Sequence, residues 1–474
     1  MWLDAVAQAE LVQTGTVTPI ELVDAAIARI ASENAGLNAV IGTRFELAQR
    51  EALAVNRDLP FAGVPTLLKD TGGELRGEPI HYGMRALRDA GWTARRDSNV
   101  TAKLRTAGFI AMGRTNTPEL ANQATTEPFA YGPTANPWDR SRTAGGSSGG
   151  AAAAVAAGMV AAAHGNDGGG SIRIPASVCG LVGLKPSRGR VSLGPDIGEM
   201  PGGIATQGML CRSVRDAAAL LDVIAGPMPG DPSPLPLPAR PFAGEPGAHA
   251  GRLRVGVLTE PLDGLPPTDP ECVAAVDAVV AVLEAAGHAI EDDRPRFPAA
   301  DTVLDDLVDL WAIETGFQME AFGQVVGRPL TPDDVEPTNW ALYEHAKGIS
   351  ALTMVAAANR RGTMTRRLAE WWHAGHDLLL HPTLQMPPLR LGEVVPATPD
   401  PLDGWRQQLT WICFTPIWNV TGQPAISLPV AESAGGLPIG VQLVAAHGRE
   451  DLLLRVAAQI EEALPWAHRR PPRS

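Results

Sequence analysis

The chain has 474 residues, 45% of them hydrophobic, and carries a net charge of −13. That balance excludes a nucleic-acid footprint, which needs clustered lysine and arginine to displace counterions, and offers no attraction to an anionic membrane surface. With 50 glycines and 42 prolines it is a loop-rich globular protein large enough for an extensive core.

Its four cysteines, Cys179, Cys211, Cys272 and Cys413, are widely spaced and form no CxxC pair, so reduced thiols are expected rather than a disulfide framework. The opening "MWLDAVAQAE" has an early acid and lacks the basic-then-apolar order of a secretory leader. The longest apolar run, "AAAAVAAGMVAAA", is too short and too small in its side chains to span a bilayer. A cytoplasmic protein without nucleic-acid or membrane partners is the expectation.

In chain order, residues 3–14 read as a helix stopped by Gly15. Thr18-Pro19-Ile20-Glu21 has the form of a capping box with proline at the first helical position, opening a helix to about Ser32. "FAGVPTLLKD" predicts a short strand ending at Lys69-Asp70, and "TAKLRTAGFIAMGRTN" a helix, a glycine turn and a strand. Ala151–Ala163 reads as a helix of small side chains, "HGNDGGGS" as a loop and "LVGLKPS" as a strand. Residues 226–251 shift to proline and glycine and read as a surface connection. A strand at "LRVGVLT" and a helix over Pro270–Gly287 follow. Residues 302–375 have no strand signal and read as covering helices, with "DLLLHPT" a buried strand after them. A proline-rich loop then runs to about Pro401. "PAISLPV…GLPIGVQLVA" reads as a hairpin and 450–463 as a closing helix. The recurring αβ units imply an α/β fold: one large α/β/α body with a central mixed, twisted sheet covered by helices, and no clean domain cut within 1–474.

The stretch from Arg142 to Arg190 poses the chemical question, because glycines flank two serine clusters, Ser147-Ser148 and Ser171. Neither cluster is a phosphate loop, since no lysine follows, and "GGSSGG" lacks the leading strand that dinucleotide binding requires. "GSSGG" does satisfy the G-x-S-x-G nucleophile elbow with Ser148 central and His376, His381 or His447 downstream, but again the leading strand is missing. A third arrangement pairs a serine with Lys69, which closes the apolar run "VPTLL". A lysine desolvated there becomes neutral and able to take a hydroxyl proton, although a sheet-edge ion pair would account for it equally well. Successive backbone N–H groups of Gly168, Gly169, Gly170 and Ser171 offer an anion-binding concavity. His373-x-x-His376 is the nearest approach to a metal pair, but no cysteine or acid stands at ligand spacing, so a structural role is expected.

Lys69, "GGSSGG" and "GNDGGGSIRIP", together with "GVPTLLKD", "GRTNTPEL", "TANPW", "GLVGLKPSRGRVS", "TGQPAISLPV" and "GLPIGVQLVA" in that order, resemble the amidase signature family over nearly the whole chain. Within it, "TTEPFAYGPTANPW" and "GREDLLLRVAAQIEEALPW" are most similar to hydrolases of the 6-aminohexanoate-cyclic-dimer type, which open lactams. The resemblance implies hydrolysis of amides through an acyl-enzyme, with no metal and no cofactor. It implies Ser171 as nucleophile, Ser147 as a bridging serine preceded by a cis peptide, and Lys69 as base. It further implies the backbone of Gly168, Gly169, Gly170 and Ser171 as oxyanion hole. Ser148, Asp167 and Arg173 are expected in support, the last two paired, and Asn122 is expected either to face substrate or to be a satisfied buried amide. The catalytic region would span about 50–225, and a variable helical region of about 300–405 would lie on the substrate side. Trp311, Trp340, Trp411 and Trp418 lie in the half of the chain that varies across the family, as core or as an apolar acyl pocket. Asn166 and Ala144 depart from the threonine and proline common in the family. The expected substrate is a small, largely apolar linear or cyclic amide. Esters, carbamates and aryl acylamides are alternatives on the same triad. So is a role as glutaminase-like subunit of a tRNA-dependent amidotransferase, and relatives suggest a homodimer.

Overall fold

Leu67 and Leu68 are neighbours in the chain but belong to different cores, because successive side chains of a strand point to opposite faces. The same split separates Ala163 from Ala162, Leu379 from Leu378 and Leu380, and Val444 from Leu443. The computed structural model, which describes residues 2–199, 201–261, 264–297, 300–394 and 400–472, thus has a sheet dividing two apolar layers.

The strands are β1 (Val40–Thr43), β2 (Pro65–Lys69), β3 (Ile110–Thr115), β4 (Ala162–Asp167), β5 (Val182–Lys185) and β6 (Thr206–Cys211). They continue as β7 (Arg254–Val257), β8 (Ala289–Glu291), β9 (Leu378–Pro382), β10 (Ala425–Glu432) and β11 (Pro438–Ala445). Among the described residues they form one 11-stranded sheet in the order β1-β3-β2-β4-β6-β5-β10-β11-β9-β7-β8. β2 runs parallel to both β3 and β4, whereas β4 meets β6 and β10 meets β11 in antiparallel register. This is the mixed sheet of the expected α/β class. β2 to β6 are buried along their length except at Asn166 of β4, as strands covered on both faces must be.

The capping box forms: Glu21 N–H donates to Thr18 Oγ1, and the Glu21 carboxylate accepts from Thr18 N–H, opening the Pro19–Glu33 helix. Helices Ala300–Val326, Pro337–Lys347 and Ala351–His373 occupy the stretch where a helical cover was expected. Among the described residues, no helix is long and apolar enough to cross a membrane.

One reading is corrected. The alanine run is not a single helix: the helix spans Gly149–Ala156, the chain turns through Gly158 at φ +73°, and 162–167 form β4 at the centre of the sheet. "HGND" is therefore strand, not loop, with His164 opposite Met209 and Asn166 opposite Gln207. A buried helix and a buried strand present the same unbroken run of small apolar residues, so periodicity cannot separate them. The turn itself needs glycine, since a Cβ at position 158 would press on the Trp2 ring.

All eight residues of the Gly149–Ala156 helix are buried. A Cβ on Gly150 would stand 2.7 Å from the carbonyl oxygens of both Ala39 and Asn116. Alanine in place of glycine gains about 0.8–1 kcal/mol of helix propensity, but overpacking against backbone costs about 1–3 kcal/mol. Gly150→Ala is therefore expected to lower the urea midpoint of unfolding, not raise it.

Candidate active site

Three short elements converge at the C-terminal end of β2. Lys69 closes that strand and is fully buried. Ser147 and Ser148 precede the Gly149–Ala156 helix, and the Gly146–Ser147 peptide bond is cis. β4 delivers His164, Asn166 and Asp167, the chain turns through Gly168–Ser171, and a helix follows over Arg173–Cys179. The backbone joins the two serine loops directly, Ser148 N–H donating to Ser171 O at 3.3 Å.

Lys69 Nζ donates to Ser147 Oγ at 2.7 Å, to Ser148 Oγ at 3.0 Å and to Asn166 Oδ1 at 2.6 Å. All three are uncharged acceptors. Burial therefore drives the lysine well below its usual range, and the charge of Asp167 only partly opposes this. Ser148 Oγ in turn donates to Asn166 O at 3.2 Å, holding the lysine's surroundings together. Lys69 thus meets a hydroxyl at hydrogen-bond distance and no carboxylate, so it is not half of an ion pair, and its burial favours the uncharged amine. Asn166 is a partner that sequence reasoning noted only as a departure from pattern. Its signal was that an oxygen-bearing side chain occupies a position where the family carries a hydroxyl.

Asp167 and Arg173 pair as expected, but in the interior rather than on the surface. Arg173 Nε donates to Asp167 Oδ2 at 2.9 Å and Nη2 to Oδ1 at 3.0 Å, with both side chains at 0% exposure. Burial pushes the Asp167 carboxyl up, but the Arg173 charge and hydrogen bonds outweigh it and hold the group well below the usual carboxylate range. Arg173 also donates to Thr415 O, to Gln442 Oε1 and to Asn419 Oδ1, and Asn419 Nδ2 donates to Asp167 Oδ1. Thr415, Asn419 and Gln442 were not foreseen. A lone amide in the otherwise apolar "PIGVQLVA" of β11 was the available clue to Gln442.

The Gly168–Ser171 turn corrects one expected donor. Gly170 N–H is spent on Asp167 Oδ1 at 2.8 Å, leaving the backbone amides of Gly168, Gly169 and Ser171 from the expected set. Gly170 has φ +129°, and a Cβ there would collide with Thr415 and Ile174, which keeps the turn flat.

Ser147, Asn166, Gly168 and Ser171 line one cavity of about 800 Å³. The two hydroxyls of Ser147 and Ser171 share its wall; no hydrogen bond joins them among the described residues. The remaining wall is mainly apolar and aromatic, from Tyr82, Trp92, Leu120, Trp311, Phe317 and Phe322. Trp311 lies over Gly169, as the acyl-pocket reading of that residue anticipates. Trp411 and Trp418 are instead core, and Trp340 packs in a separate cluster with Met319 and Leu330. Asn122 reaches the cavity wall, but its Nδ2 donates to Thr315 Oγ1 at 2.8 Å and Asn339 Oδ1 at 2.9 Å. Its amide hydrogens therefore tie the core to the helical cover, and only the oxygen is left for a ligand.

A larger cleft, about 970 Å³, lies among Arg294, Arg360, Arg367 and Trp371 and contains none of these serines. At its edge His376 Nε2 meets Glu291 at 3.1 Å and Asp293 at 3.0 Å, acids brought from a distant part of the chain. Arg254 already pairs with Glu291, and Trp371 Nε1 donates to Asp293. This is an ion-pair cluster in which His373 takes no part.

The Amidase family model matches residues 21–454. A 6-aminohexanoate-cyclic-dimer hydrolase of Paenarthrobacter ureafaciens is 45% identical over 478 residues, covering 99% of this chain and 97% of the relative. A solved structure of 6-aminohexanoate cyclic dimer hydrolase complexed with substrate superposes with a TM-score of 0.96 at 44% identity, covering 99% of this chain and 98% of that one. A bacterial aryl acylamidase of the amidase signature enzymes superposes with a TM-score of 0.90 at 30% identity, covering 98% and 97%. On a match of this extent, the chain belongs to the amidase family, enzymes that hydrolyse the carbon–nitrogen bond of amides.

Proposed function

We propose that the chain hydrolyses small, largely apolar amides of the ω-amino-acid type, linear or cyclic, through an acyl-enzyme on Ser171. The observation that carries this reading is Lys69 Nζ, buried among neutral acceptors, 2.7 Å from Ser147 Oγ at the rim of an aromatic cavity. Ser171 Oγ attacks the carbonyl carbon while its proton passes to Ser147 Oγ and the Ser147 proton passes to Lys69 Nζ. Backbone N–H groups of Gly168, Gly169 and Ser171 hold the developing oxyanion. Lys69, now an ammonium, returns its proton through Ser147 to the leaving nitrogen as the carbon–nitrogen bond breaks. Water then enters by the same relay and frees the acid. Asp167, Arg173 and Ser148 keep the turn and the lysine in place, and Asn122 fixes the cover beside the site. The chain acts as one catalytic unit over 1–474, with 50–225 supplying reacting groups and 300–405 the substrate side. Four unpaired cysteines fit a reducing cytoplasm, and a homodimer, as relatives suggest, belongs to the same reading.

The substrate class rests on the names of the 45% identical relatives and on the aromatic lining. The aryl acylamidase likeness supports a second class, amides with an aromatic leaving amine. Both are tested by one panel of linear ω-amino-acid amides, lactams, anilides, esters, carbamates and glutamine, with product masses recorded. Turnover of the first two or of anilides is expected. Ammonia released from glutamine alone would replace this reading with the amidotransferase-subunit one.

A further inference from the structure

The Ala300–Val326 helix turns one stripe toward the cavity: Trp311, Glu314, Gln318, Ala321 and Val325, at the three- and four-residue spacing of a helix face. Among apolar neighbours, two of these bring acceptors. Gln318 Nε2 donates to Glu314 Oε1 at 2.6 Å, which orients the pair. That leaves Glu314 Oε2 and Gln318 Oε1 buried, both without a hydrogen-bond partner among the described residues. Glu314 is 7% exposed and lines the cavity. Burial raises its carboxyl and the Gln318 bond opposes this; among the described residues no charge offsets it, although Arg95 and Arg96 line the same cavity.

Two orphaned acceptors on one wall are costly unless a donor reaches them, because a buried polar atom without a partner forfeits the hydrogen bond it had in water. Neither oxygen can satisfy the other, since both accept. With Glu314 ionised, what the wall lacks is a hydrogen-bond donor, and an N–H group bearing two or more hydrogens can meet both oxygens at once. Its position follows from the helix: Trp311 covers the Gly169 turn beside Ser171, and Glu314 and Gln318 lie about 5 and 10 Å farther along the axis. We infer that Glu314 and Gln318 form a subsite for an N–H donor at the far end of the acyl group, roughly one to two helical turns from the scissile carbonyl. The donor is either a terminal ammonium or the N–H of a second amide, and the subsite selects acyl chains of about six carbons that end in nitrogen over simple fatty chains of equal length. This inference rests on the amidase reading for which end of the ligand meets Ser171.

Binding separates the two claims. Hexanamide, 6-aminohexanamide and 6-acetamidohexanamide are titrated calorimetrically into the Ser171→Ala protein, so that no turnover intrudes. At least one nitrogen-ended ligand is expected to bind about tenfold or more tighter than hexanamide, and which of the two does so identifies the donor. Adding Glu314→Gln should collapse the preference for the ammonium ligand to within about threefold, and Gln318→Leu should reduce it as well. Equal binding of all three ligands overturns the subsite, as does an ammonium preference that survives Glu314→Gln or an acetamido preference that survives Gln318→Leu. Should Glu314→Gln not fold, the ligand comparison and Gln318→Leu still decide. Hydrolysis by the wild-type chain is scored apart, so a lost activity with the preference intact counts against the hydrolase reading alone.

Discussion

Ser171→Ala is expected to lower kcat by about 10⁴–10⁶-fold, the cost of removing a nucleophile that works with its base as a unit. Lys69→Ala should fall on the order of 10²–10⁴-fold, the share of a positioned general base. Ser148→Ala keeps both Ser147 and Asn166 as lysine partners, and should lose no more than about tenfold. A nucleophile-elbow enzyme would show the opposite order, with Ser148→Ala inert and Lys69→Ala nearly normal. The pH profile carries the sign of the mechanism. On the proposed relay the active form of Lys69 is the deprotonated one, so kcat/KM is expected to rise with pH through the folded-state lysine and to be lost as pH falls below it. Burial places that limb well below the ordinary lysine range. In Lys69→Ala the limb should vanish from the residual activity. A fluorophosphonate should label Ser171 and no other serine, as mass mapping of the labelled peptide would show.

Arg173→Met is expected to destabilise the protein by about 3–5 kcal/mol, because it strands the Asp167 carboxylate in the interior. The group has no route to solvent: its exposure is 0%, and its oxygens face Gly170 N–H, Ile172 N–H and Asn419. Arg173→Lys should recover little, since one ammonium cannot serve Asp167, Thr415, Gln442 and Asn419 from a planar fork. Adding Asp167→Asn to Arg173→Met removes the stranded charge and should restore part of the loss. Urea unfolding of the three variants measures this, and equal midpoints for Arg173→Met and wild type would refute the buried-pair account.

Local chemistry was legible wherever a residue's role is set by its sequence neighbours. The Thr18–Glu21 box, the β10–β11 hairpin and the closing Glu450–Ala463 helix stand where turn and capping signals placed them. Lys69, Ser147 and Ser171 were singled out by the family resemblance, and the structure puts Lys69 beside Ser147 and lines one cavity with both serines. What stayed hidden depends on partners far away. β4 is a strand because β2 and β6 pair with it, and nothing within "AAHGND" announces this. β6 itself, "TQGMLC", has no alternation to declare it, being buried on both faces. Asn419 and Gln442 enter the site by long-range folding, about which spacing is silent. Gly170 was counted as an oxyanion donor because a nest of glycines does not reveal which amide a nearby carboxylate will claim.

The knot around Arg173 has a bearing on how this enzyme can be dissected. The turn holding Ser171 is bolted, through one guanidinium, to an amide on the penultimate segment of the polypeptide. A fragment ending before β10 would retain every reacting atom and still lack the brace that shapes them, so it should be inert. Split versions would regain function only when the C-terminal piece re-anneals.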